Sequence, residues 1–120
     1  MATAMKTKRT LFESGAVSAA ATQALTELDL STALGALLTI TVTNGGTGPT
    51  TDTTIKVYTG TVTTEENVFS TVLAGQTNSE VYTFNFIIPP ATMFLGGDVT
   101  CGATNAITME AIASELTSIG

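Results

Sequence analysis

From Leu28 onward the chain alternates. In ALTELDL, Leu28 and Leu30 fall on one side of an extended backbone and Glu27 and Asp29 on the other. LLTITVT sets Leu38, Ile40 and Val42 against Thr39, Thr41 and Thr43, and TTIKVYTGTV sets Ile55 and Val57 against Lys56 and Tyr58. EVYTFNFII carries Tyr82, Phe84 and Phe86 against Val81, Thr83 and Asn85. AITMEAIASEL sets Ile107, Met109 and Ala111 against Thr108, Glu110 and Ile112. NVFSTVL and DVTCGA are shorter strand-like runs, and turn signals (NGGTGP, TTEEN, AGQTNS, PP, LGGD, GATN) separate the segments. A period of two with this spacing predicts an all-β antiparallel β-sandwich or jelly roll of about seven to eight strands, not a parallel α/β sheet. Threonine, about a fifth of the chain, supports this, because a β-branched side chain fits the pleat.

The first 21 residues show neither strand nor helix periodicity, and Leu11 and Phe12 are their only large apolar side chains after Met5. They read as an extended N-terminal arm, flexible alone and ordered on a partner, with 22–120 as the sandwich domain. A helix from Ala16 to Thr26 would have alanine in its favour but no adequate apolar face.

Two connections stand out. The loop TNGGTGPTTDTT exceeds a two-residue hairpin, so it crosses between sheets or touches a neighbouring subunit. Its glycines are expected to supply unusual backbone angles, and Pro49 to stiffen its exit. Pro89-Pro90 ends the aromatic strand, since neither residue can donate to a sheet ladder. Met93, Phe94 and Leu95 follow; they either plug an end of the core or form an inter-subunit contact.

Composition narrows the function. The 120 residues suit one domain, yet only 12% are charged and mean hydropathy is +0.36, less polar than the surface of a small monomer usually requires. An exterior partly covered by partners, in an oligomer or assembly, accounts for that. Of four basic residues, Lys6, Lys8 and Arg9 lie in the arm; all ten acids lie at or after Glu13, and the net charge is −6. Three cations on an acidic chain are too few for nucleic-acid binding, so the arm is expected to dock on a protein through Lys6, Lys8, Arg9, Leu11 and Phe12.

The chain has no histidine, which removes the usual general base, the commonest metal ligand and the Ser-His and Cys-His nucleophile pairs. Its acids are scattered. Glu65-Glu66, the adjacent pair, reads as a solvated turn, because successive residues of an extended chain point apart. Neither a calcium loop nor a phosphate-binding glycine motif occurs. No catalytic, metal or cofactor site is therefore expected, nor a small-molecule substrate. Cys101, the one cysteine, reads as a buried free thiol. Glu13 and Ser14 interrupt the stretch where a signal peptide would need a continuous apolar region, so cleavage is not expected. The apolar runs also fall far short of the ~20 residues a membrane helix needs.

LDLSTALGALLTITVTNGGTGPTTDTTIKVY resembles small structural proteins of tailed bacteriophages, in which an aliphatic strand ending near GALLT leads into a TNG-TGPT loop and a second strand. YTFNFIIPPATMF and AITMEAIASELTSI look like the aromatic strand, proline stop and final strand of that group, so the likeness spans most of Leu28–Ile119. The resemblance implies a non-enzymatic capsid decoration or cement protein on the virion's capsid surface. Such a protein would contact the major capsid protein and itself as a homo-oligomer, commonly a trimer, with an arm gripping neighbouring subunits. Another phage structural part (neck, tail or fibre base) fits the same pattern. The strand-loop-strand around VTNGGTG is similar as well to bacterial Ig-like adhesion modules.

Overall fold

The structure, a computed structural model, describes residues 4–61 and 68–119. Its strands are β1 (Ala4–Val17), β2 (Thr22–Ala24), β3 (Leu28–Asp29), β4 (Ala36–Asn44), β5 (Thr53–Gly60), β6 (Val68–Ala74), β7 (Val81–Ile88), β8 (Phe94–Thr100) and β9 (Ile107–Ile119). One sheet runs β1-β9-β4-β7; the other runs β2-β8-β5-β6, with β3 also paired to β8. All of these pairings are antiparallel. The expected TTEEN turn lies outside the described residues.

That order is a jelly roll. Drawn out as one long hairpin, the chain pairs β1 with β9, β2 and β3 with β8, β4 with β7, and β5 with β6. Rolling the hairpin brings β9 against β4 in one sheet and β8 against β5 in the other. Because β2 and β3 share one place beside β8, nine strands fill eight positions.

The period-two pattern decides which side of each strand faces in. Leu38, Ile40 and Val42 of β4, Ile55 and Val57 of β5, Leu95 and Val99 of β8 and Met109, Ala111 and Ala113 of β9 form one buried cluster between the sheets. The alternate residues Thr39, Thr41 and Thr43 face outward and are half-buried. Each fully buried aliphatic contributes roughly 1.5–3 kcal/mol relative to exposure, so the inner faces drive the closure.

The first 21 residues depart from expectation. β1 is an edge strand of the four-stranded sheet, with Leu11 and Val17 in the core and Phe12 packed against it. Its period is broken by bulges: Thr10 pairs with Ile112 but Phe12 with Ala111, and Gly15 then pairs with Met109. Each shift moves the inward position by a residue, which hides the strand from a period-two reading. The segment from Ala16 to Thr26 holds strand and turn, not helix. Beyond the level of Ala36, β9 continues with β1 as its partner strand, Leu116 opposite Lys6.

Leu11→Ala tests this placement. A core residue 2% exposed should cost roughly 2–4 kcal/mol in urea unfolding when truncated. An undocked arm would leave the midpoint unchanged.

Candidate interaction surfaces

The loop after β4 is a structural hub. It carries the chain from one sheet to the other, as one of the two expected routes required. Asn44, 2% exposed, donates through Nδ2 to the carbonyls of Gly75 (3.1 Å) and Thr77 (2.8 Å) in the β6–β7 connection. The amide of Gly48 donates to Asn78 Oδ1 at 2.7 Å, and Asn105 Nδ2 donates to the Gly48 carbonyl at 3.0 Å. Thr51 and Thr53 hydroxyls accept from the amides of Ala103 and Gly102. Three inter-sheet connections are thereby tied together at one end of the sandwich.

Of the loop's three glycines, none takes a positive φ and only Gly48 is required by space; a Cβ on Gly45 or Gly46 would meet no close atom. Gly35 is the one glycine at positive φ among the described residues, whereas a Cβ on Gly48 would sit 2.1 Å from the Gln76 carbonyl oxygen. Asn44 Oδ1 accepts no hydrogen bond from a described residue. Cys101 is buried beside this cluster, with its Sγ–H directed at the Asn105 carbonyl at 3.3 Å; burial raises its pKa, so the thiol stays protonated and inert at neutral pH.

The opposite end of the four-stranded sheet differs in character. Across its outer face the register sets Lys8, Ser114, Leu37 and Ile87 in one row. Ile87 is 78% exposed, and Leu34 and Leu37 are also exposed. With Lys6, Pro89 and Leu116 they border an open groove of about 410 Å³. Next to that row, Thr39 Oγ1 donates to Asn85 Oδ1 at 2.6 Å. The groove is therefore apolar, with an exposed ammonium on one wall and a threonine–asparagine surface beyond it.

The residues expected to grip a partner are dispersed. Lys6 and Lys8 are exposed at the groove's side of the sheet. Arg9 donates through Nε to Glu115 Oε2 at 2.7 Å, a contact that holds a carboxylate whose side chain is only 5% exposed. Leu11 is in the core and Phe12 rests against it, so these two do not offer the exposed apolar surface an arm would use. Phe94 and Leu95 are likewise buried, on β8, so of the two alternatives they take the core and not the inter-subunit contact; Met93 alone of that trio is exposed. Leu34, Leu37 and Ile87 were not singled out from the sequence. The signal lay in the alternation itself, because Leu37 and Ile87 occupy outward positions otherwise filled by Thr39 and Asn85. Among the described residues no three His, Cys, Asp or Glu side chains gather as metal ligands.

No protein-family model and no curated protein matches the chain. Several solved structures share its fold. The K3 cleaved adhesin domain of Lys-gingipain from Porphyromonas gingivalis aligns at a TM-score of 0.55 and 14% identity, over 78% of this chain and 62% of that one. A chain in the structure of infectious bursal disease virus, Gx strain, aligns at 0.57 and 11%, over 95% of this chain and 32% of that one. The enzymatically active domain of tailspike protein 4 from bacteriophage CBA120 aligns at 0.54 and 13%, over 96% of this chain and 18% of that one. This chain thus spans less than two thirds of each. At such identities the likeness establishes a shared β-sandwich fold.

Asn44→Asp probes the hub. It removes both Nδ2 donors and sets a carboxylate against two carbonyl oxygens, at an expected cost of about 2–4 kcal/mol. Thermal melts of the two proteins at neutral pH measure it; an unchanged melting temperature would remove Asn44 from its central role.

Proposed function

We propose that the chain is a non-enzymatic structural component of a virion, and specifically a capsid decoration or cement protein on the outer surface of a phage head. The observation that carries the reading is an apolar groove on the outer face of a jelly-roll sheet, where a self-sufficient monomer would have polar side chains. Its partner is the major capsid protein. Leu34, Leu37 and Ile87 supply the apolar contact, with Lys6 and Lys8 beside them to meet acidic side chains of the shell. The sequence resemblance to small phage structural proteins supports this reading, as do the viral and phage chains among its structural neighbours. The same resemblance implies a homo-oligomer, in the first instance a trimer. Many modest interfaces repeated over a shell would then act together, although each alone is weak.

An adhesion or binding module is the second reading, favoured by the likeness to the gingipain adhesin domain, the neighbour of which the chain covers the largest share among those three.

The deciding experiment adds purified chain to heads of the encoding virus that lack it and measures co-sedimentation. Bound chain is expected, and Leu37→Lys/Ile87→Lys should reduce binding by at least about tenfold, because two central apolar contacts are replaced by charge. Absence of binding to heads, together with absence of the chain from purified particles, would move the adhesion reading ahead.

A further inference from the structure

The four sheet edges are not alike. β1 carries Lys6, Lys8 and Arg9 and three register shifts, both of which discourage pairing with another strand. β2 and β3 are three and two residues long. β6 has a register shift against β5. β7 has none of these defences. Its eight residues, VYTFNFII, contain no charge and no proline, and its ladder with β4 is unbroken from Val81 to Ile88. Among the described residues β4 is its one strand neighbour. A long, regular, uncharged edge is a place where another strand adds.

We propose that two copies of this chain pair edge to edge through β7, antiparallel, about a two-fold axis at Phe84. The strand's own sequence selects this occupant and register. Pairing across a two-fold perpendicular to the sheet keeps outer face with outer face, which admits only axes centred on a residue. Centred on Phe84, Val81 meets Ile87 of the second copy and Thr83 meets Asn85 on the outer face, while Tyr82 meets Phe86 on the inner. Apolar meets apolar, polar meets polar and aromatic meets aromatic. Centring on Thr83 would instead set Val81 opposite Asn85 and Ser79 opposite Ile87 on the outer face, and centring on Asn85 would set Thr83 opposite Ile87 and Val81 opposite Pro89, which has no amide to give. The same flank of the sandwich carries β6, whose exposed Val68, Phe69 and Leu73 extend the apolar contact. This inference is independent of binding to a shell. If a trimer forms elsewhere on the molecule, the β7 contact joins trimers in pairs.

Native mass spectrometry of the full chain at roughly 10 μM is expected to give an assembly of even copy number, a dimer or a hexamer. Thr83→Glu/Asn85→Asp places acids opposite acids at the proposed axis while keeping an acceptor for the Thr39 hydroxyl, and it should halve that assembly. Thr83→Lys/Asn85→Lys should do the same alone. An equimolar mixture of the acidic and basic variants should restore the even assembly as mixed pairs. Circular dichroism and melting curves of each variant show whether its strands are intact. A monomer or an isolated trimer from the unmodified chain overturns the proposal. So do an even assembly that survives both charged variants, and folded variants that fail to recover on mixing.

Discussion

Each sheet of this protein has one continuously apolar face, the inner one, and everything else follows from the need of those two faces to cover each other. The inward set, Leu38, Ile40 and Val42 with Ile55, Val57, Leu95 and Val99, is fully buried, so no strand can slip by one residue without turning aliphatics out and threonines in. The jelly roll satisfies this with one long hairpin rolled on itself. β9 is the strand on which the rolling depends, since it pairs with β1 on one side and β4 on the other. Once the inner faces are committed to each other, the outer faces are free to serve partners.

The two ends of the sandwich divide the remaining work. At one end Asn44 and the glycine-rich loop bind the connections before β7 and β9, using side-chain amides and hydroxyls where a larger protein would use more core. At the other end the chain leaves apolar surface exposed around Pro89 and Pro90. Low charge and positive mean hydropathy accord with that exposed apolar surface. The uncharged β7 edge runs along one flank, while the basic β1 edge lies at the opposite end of the same sheet.

Much of this was legible from residue pattern. β4, β5, β7 and β9 announce themselves by clean alternation, and the all-β class follows from their number and spacing. β1 does not, because its bulges shift the inward position after Thr10 and again after Phe12, so that Leu11 and Phe12 look like an isolated apolar pair. The glycine-rich loop is the connector its composition suggests, but its glycines do not take the unusual backbone angles expected of them; Gly48 is small because the Gln76 carbonyl approaches, a tertiary contact no local pattern records. Phe94 and Leu95 follow a proline stop and look irregular, yet they start β8. Leu37 and Ile87 sit at outward positions of readable strands. Their meeting across adjacent strands depends on the β4–β7 register, which one sequence does not specify.

The central claim is that the chain closes as a jelly roll with β1 as an integral strand, which leaves the outer faces and the β7 edge for partners. Amide hydrogen exchange resolved by residue tests it directly. The account predicts that β1 amides around Thr10 and Leu11 are protected to a degree comparable with those of β9, since the two strands form one ladder. Free-chain exchange rates throughout β1, with β4 and β9 still protected, would contradict it and return those residues to the role of a detached arm.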